Sequence, residues 1–140
     1  MIMINYQKQV VPDFQSTLCL YEAVGWTNYT LSPNMLKAAI EHSCFIATAY
    51  DYEKLVGIVR AVGDEYSIMF VQDLIVLPEY QRQGIGRQLL KMVIDEYKEV
   101  YQLHLLTDNS EKNREFYQSM NFINVNDIQC NAYTYLKSNE

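Results

Sequence analysis

Little in this chain is suited to holding a metal or crossing a membrane. Its 140 residues include 3 cysteines and 2 histidines. Cys19, Cys44 and Cys130 lack CxxC spacing, and His42 and His104 complete no ligand set with them, so no metal site is expected. Sparse cysteine also makes a reduced, cytoplasmic setting the default. The longest apolar runs fall far short of a membrane span, and the opening MIMINYQKQ lacks the apolar segment of a secretory signal; no membrane association is expected. Positive charge is scarce as well. Lys and Arg number 11 against 17 Asp and Glu, a net charge of −6 that argues against a nucleic-acid partner and is compatible with cationic substrates such as amines. No linker, repeat or low-complexity segment divides the chain, so residues 2–140 read as one domain large enough to bury a core.

What is present is organised around residues 68–90. An apolar, β-branched run from Ile68 to Leu77 passes through Pro78 and Glu79 to Gln81-Arg82-Gln83-Gly84-Ile85-Gly86, where an amphipathic helix pattern starts. A glycine-bearing turn between strand and helix aims unpaired N–H groups and the positive end of the helix dipole outward, which suits phosphate. A nucleotide P-loop needs Lys-Ser/Thr after the second glycine, and here Gly86 is followed by Arg87-Gln88. The dinucleotide fingerprint needs a third small residue where Leu89 stands, although Asp108 lies at the spacing of a ribose-binding acid. The pattern that fits is Q/R-x-x-G-x-G/A.

Alternation at Ile2, Ile4 and Tyr6 predicts a first strand. Pro12-Asp13 opens a helix with Phe14, Leu18 and Tyr21 on one stripe and Gly25 as its stop. Ser32-Pro33 supplies N-cap and N1 chemistry for a second helix, with Met35, Leu36, Ala39 and Ile40 apolar, ending near Ser43. Cys44 to Tyr50 and Leu55 to Val62 form a hairpin, and Gly63-Asp64 turns the chain into the organising strand. The helix after the glycines packs Ile85, Leu89, Leu90, Val93, Ile94 and Tyr97 on the sheet. Gln102 to Thr107 is a strand, Ser110 caps a helix through Met120, and Phe122 to Val125 with Ile128 to Leu136 make a closing hairpin turned by Asn126-Asp127. The predicted order is strand, two helices, three antiparallel strands, helix, strand, helix, two strands. That is an α+β fold with a mixed, mostly antiparallel sheet flanked by helices.

This order, the Gln81 to Gly86 turn, and Tyr117 followed four and five residues later by Asn121-Phe122 resemble the GNAT superfamily of N-acetyltransferases, over nearly all of residues 2–137. The family has glycine where Asn121 stands, and asparagine tolerates the left-handed dihedrals of a helix C-terminal cap. The resemblance implies acetyl-CoA as co-substrate. It assigns the CoA diphosphate to the turn of Gln81, Arg82, Gln83, Gly84, Ile85, Gly86 and Arg87, chiefly the N–H groups from Gln83 onward. It assigns the pantetheine arm and thioester carbonyl to the backbone of Leu74, Ile75 and Val76, bonded as an added strand. Tyr117 is implied as the general acid that protonates the departing thiolate. Many members carry an asparagine seven residues before that tyrosine; Ser110 stands there, and Asn113, one helical turn before Tyr117, is the candidate substitute. Trp26 and Tyr29 are the expected acceptor pocket.

A protonated amine is no nucleophile, so a base must take a proton before nitrogen attacks the thioester. Asp73 is the candidate, a carboxylate inside an otherwise apolar strand, with Glu79 and His104 as rivals. A strand N–H near Ile75 or Val76 would hold the oxyanion. Cys44 and His42, two residues apart, suggest an acyl-enzyme route only weakly, since His42 is better placed to end a helix. The expectation is direct transfer from acetyl-CoA to a small or peptide-like amine. An acyl-CoA-binding sensor is the alternative, and a nucleotide hydrolase the third reading. Exposed terminal strands favour pairing or exchange with a second copy as a homodimer, which a covered edge would remove.

Overall fold

The computed structural model describes residues 3–137, in two compact units that divide between Leu106 and Thr107. The first unit is built on a sheet. β1 (Ile4–Lys8), β2 (Phe45–Asp51), β3 (Lys54–Gly63), β4 (Ile68–Val76) and β5 (Gln102–Leu105) lie side by side in that order. Every neighbouring pair is antiparallel except β4–β5, which is parallel and therefore needs a crossover, supplied by α4 (Ile85–Glu96).

Between β1 and β2 come α1 (Phe14–Ala23), the single-turn α2 (Thr27–Thr30) and α3 (Pro33–Glu41). Asp13 caps α1 by accepting the Ser16 N–H at 3.0 Å. The face α1 buries is Thr17, Leu20 and Tyr21, while Phe14 and Leu18 are half-buried; the inward pull is polar, because Tyr21 bonds to Asp73. The stretch from Thr27 to Thr30 carries no helical periodicity to read, being one turn long. Of the α3 stripe, Leu36 and Ile40 are buried and Met35 is exposed.

Two register shifts interrupt the sheet, one between β2 and β3 at Ala49/Tyr50 and one between β3 and β4. On β4 the register with β3 slips between Arg60↔Asp73 and Ala61↔Val71, leaving Gln72 as a bulge. Cross-strand partners share a face, so Asp73 lies with Arg60 on one face and Val71 with Ala61 on the other. The first face carries Tyr21 and Tyr29 of α1 and α2. The second carries α4, seated at Gly57, where a Cβ would lie 3.1 Å from Leu89 Cδ1 and 3.3 Å from Ile85 Cγ2.

The second unit contains α5 (Glu111–Ser119), capped by Ser110 Oγ accepting the Asn113 N–H at 3.2 Å. Its exit is a Schellman turn: Asn121 takes φ 70°, Phe122 N–H bonds to Tyr117 C=O at 3.0 Å, and Asn121 N–H bonds to Gln118 C=O at 3.1 Å. Asparagine thus fills the left-handed position as expected. The closing hairpin is a correction. Val125–Ile128 is a 3₁₀ turn, and residues 129–137 join no strand among the described residues, so the sheet has five strands where seven are predicted. The Asn124 side chain accepts the Asn126 N–H at 2.9 Å and tightens the chain locally, the competition that short polar side chains offer to strand pairing. Ile2, in the predicted first strand, lies outside the described residues.

Candidate active site

The glycine turn begins where β4 ends. Leu77 N–H closes onto Val56 C=O of β3 at 2.9 Å, and Pro78–Tyr80 makes a 3₁₀ turn. Gln81 then turns back, its Nε2 donating to Val76 C=O at 3.0 Å. Arg82 and Gly84 have φ of 64° and 84°, and Gly84 is the N-cap of α4. Gln88 N–H reaches Gly84 C=O, so the N–H groups of Ile85 and Gly86 precede the first helical bond and point out of the helix end. A Cβ on Gly84 would meet nothing within 4 Å. Glycine is needed there for its backbone angles and leaves open space beside the turn. Residues 81–84 are exposed, as an anion site requires.

Leading to that turn is a strand edge that no strand among the described residues pairs with. β4 pairs with β5 only from Ile68↔Gln102 to Val71↔Leu105; β5 then stops while β4 runs on to Val76. Alternation decides which groups face the gap. Because Leu77 N–H points at β3, the N–H and C=O of Ile75 do too, and those of Leu74 and Val76 point the other way. Of the three residues singled out for the pantetheine arm, Leu74 and Val76 can present backbone to an added strand. Ile75 instead bonds to β3, so of the two N–H groups expected near the oxyanion only that of Val76 points away from β3.

The expected base and the expected pocket meet in one buried network. Asp73, 2% exposed, accepts from Arg60 Nε at 2.6 Å, Tyr21 Oη at 2.7 Å and Tyr29 Oη at 3.1 Å. Arg60, 5% exposed, also donates from Nη2 to Tyr29 Oη at 3.1 Å, and Gln72 Nε2 reaches the same oxygen at 3.4 Å. Trp26 stacks on Tyr29 with ring centroids 6.1 Å apart, and Tyr21 meets both rings edge-on. Burial, then the Asp73 carboxylate, pushes the Tyr21 hydroxyl far above the ordinary phenol range, so it stays a donor. Both Asp73 oxygens accept hydrogen bonds within this network, Oδ2 from a guanidinium and a phenol and Oδ1 from a second phenol. Arg60 escaped the sequence reading although its signal matches that of Asp73: a charge within a β-rich run, of opposite sign to a charge in the next antiparallel strand.

The remaining candidates are placed as follows. Glu79 is exposed in the 3₁₀ turn, and His104 is half-buried on β5 opposite Phe70. His42 Nδ1 lies 2.8 Å from Ala38 C=O at the end of α3, while Cys44 Sγ donates to Gly63 C=O at 3.2 Å; the two are occupied apart from each other. In the second unit, Tyr117 is half-buried between Phe116 and Phe122, and burial followed by the Asp108 charge raises its hydroxyl above the ordinary phenol value. Asn113 Nδ2 donates to Thr107 Oγ1 at 3.0 Å and Asp108 Oδ1 at 2.9 Å, which commits both its N–H bonds to the loop ahead of α5. No cluster of three or more potential metal ligands occurs among the described residues, nor does any helix among them have the length and apolarity to cross a membrane.

Known proteins share this architecture. The acetyltransferase (GNAT) domain profile matches residues 10–135, running through both units. A GNAT-family acetyltransferase of Streptococcus pneumoniae TIGR4 is 45% identical and superposes with a TM-score of 0.89, covering 97% of this chain and 99% of that one. An uncharacterized N-acetyltransferase, ycf52, of Gracilaria tenuistipitata var. liui is 30% identical over 111 residues, 74% of this chain and 58% of the relative. Histone acetyltransferase TAP1 of Glycine max is 28% identical over 123 residues, 79% of this chain and 52% of the relative. The chain therefore spans about half the length of these two relatives. A PaiA N-acetyltransferase of Thermoplasma acidophilum, solved in complex with coenzyme A, shares the fold at 16% identity, a TM-score of 0.69, and coverage of 85% of this chain and 89% of that one. On the strength of the profile and the Streptococcus likeness, the chain belongs to the GNAT acetyltransferase family.

Proposed function

We propose that the chain transfers an acetyl group from acetyl-CoA to a small or peptide-like amine by direct attack of nitrogen on the thioester. The observation that carries this reading is the continuous path in the first unit, from the strand edge of Leu74 and Val76 to the outward N–H groups at the Gly84 turn. An extended arm ending in a diphosphate fits such a path, because the strand edge bonds the arm and the helix start takes the charge. Coenzyme A in the Thermoplasma fold-mate is consistent with that fit. Val76 N–H is assigned to the carbonyl oxygen as it gains charge.

Tyr117 is assigned the proton given to the leaving thiolate. Its raised pKa keeps it protonated at neutral pH, as a donor must be. With the free thiol at ~8.5 and a phenol above it, the phenol hydrogen-bonds the sulfur as charge develops and gives up its proton late in the departure. Asp73 we assign to holding the pocket aromatics, leaving Glu79 and His104 as proton acceptors for the amine.

The test is thiol release from acetyl-CoA across polyamines, amino acids, aminoglycosides and peptide N-termini. Amine-dependent release is expected with at least one class. Tight binding of acetyl-CoA with no release by any amine would favour the sensor reading, and absence of CoA binding would remove the cofactor assignment. In the active case Tyr117→Phe should lower kcat about 10²-fold with CoA affinity unchanged. An unchanged kcat would take Tyr117 out of the mechanism.

A further inference from the structure

The cofactor turn is held at both ends by the same hairpin, that of β2 and β3. At its entry, Tyr80 Oη donates to Asp51 Oδ2 at 2.5 Å. Asp51 is the last residue of β2, paired with Lys54 across the hairpin turn, and Lys54 Nζ stands 5.6 Å from the Tyr80 ring centroid. Both partners of the hydrogen bond are half-buried, and the Asp51 carboxylate raises the Tyr80 hydroxyl above the ordinary phenol value. At the exit, Ile85 and Leu89, 2% and 0% exposed, rest against Gly57 of β3. Between these anchors lie the exposed residues 81–84, with left-handed backbone at Arg82 and Gly84.

A non-glycine residue in that region is uphill by about 1 kcal/mol or more, so the conformation at Arg82 persists only where surrounding structure enforces it. Two of the three residues from Arg82 to Gly84 are left-handed in a solvent-exposed turn, and its entry is tied to β2 by the charged hydrogen bond from Tyr80 to Asp51. An anion site gains affinity when its donors are aimed before the anion arrives.

We propose that Asp51 and Tyr80 are positioning residues for diphosphate binding: their hydrogen bond fixes the entry of the glycine turn so that its N–H groups are pre-aimed at the cofactor. The proposal rests on the reading of this turn as the CoA diphosphate site and adds that affinity depends on two side chains that lie outside the glycine motif.

The experiment compares CoA binding by calorimetry, kcat and KM for acetyl-CoA, and far-ultraviolet circular dichroism for the wild type, Tyr80→Phe and Asp51→Asn. Tyr80→Phe should raise the CoA Kd about tenfold, the lower range for losing a hydrogen bond to a charged group, and raise KM in parallel. The kcat at saturating acetyl-CoA should stay within about twofold, because a positioning residue for the diphosphate contributes equally to ground and transition states. Asp51→Asn keeps a neutral acceptor of about half the strength, so its rise should be about threefold, and it decides the matter if Tyr80→Phe fails to fold. A folded variant with wild-type Kd overturns the brace, as does a kcat that falls while KM stays fixed. Failure of the wild type to bind CoA overturns the reading of the turn itself.

Discussion

Replacing Asp73 by asparagine separates a structural role for this carboxylate from a catalytic one. The side chain is 2% exposed and lies 2.6 Å from the Nε of Arg60, itself 5% exposed. Asparagine keeps the shape and one acceptor oxygen but deletes the negative charge, leaving a guanidinium buried without its counter-ion. Breaking a buried pair in this way costs about 3–5 kcal/mol. The lower end applies here, since Tyr29 Oη and Ser43 Oγ still accept from the Arg60 nitrogens. A loss of about 3 kcal/mol is a large share of the ~5–15 kcal/mol that holds a typical domain together. Trp26, the single tryptophan, stacks on Tyr29 within the network and so reports its opening in urea titrations by fluorescence. The midpoint should fall with an unchanged slope. The kinetic half of the test is the pH profile of kcat/KM. Its acidic limb should persist in Asp73→Asn, with the main damage in the KM for amine. A stability loss below about 1 kcal/mol would refute the energetic reasoning. Disappearance of the acidic limb together with a collapse in kcat would restore Asp73 as the base.

Gly57→Val should destabilise the protein by about 1–3 kcal/mol through overpacking, because its Cβ would lie 3.2 Å from the Ile75 carbonyl oxygen and 3.1 Å from Leu89, and backbone cannot step aside. A wild-type urea midpoint would show that α4 is not seated there. Alkaline stability tests Tyr21. Its pKa is raised on folding, so its contribution is complete below the unfolded value of about 10 and is lost as pH climbs above it, at about 1.4 kcal/mol per pH unit. Tyr21→Phe should flatten that decline in urea midpoints; equal slopes in the two proteins would contradict it.

Local chemistry made much of the chain legible. The glycine turn, the Asp13, Ser32 and Ser110 helix starts, the α4 stripe and the left-handed Asn121 all rest on residues within one or two turns of one another, where propensity and spacing suffice. The C-terminal hairpin failed at that same range. Asn124 and its neighbours bond to their own backbone, and residues such as Tyr133 and Tyr135, 91% and 85% exposed, alternate without burying either side.

Sequence alone determined the order of elements up to α5 except for the single-turn α2, the family resemblance, and the turn that would receive a diphosphate. Tertiary structure decided what the charged strand residues bond to. A bulge is invisible to a period-two pattern, which by itself would set Val71, Asp73 and Ile75 on one face, while the extra residue at Gln72 turns Asp73 onto the face of Arg60 and away from that of Val71. Pairing across strands then gave Asp73 a guanidinium and two phenols, and gave the outward backbone to Leu74 and Val76. Those outcomes depend on register, and register is set by which strands meet, a property of the folded sheet that no single strand carries in its sequence.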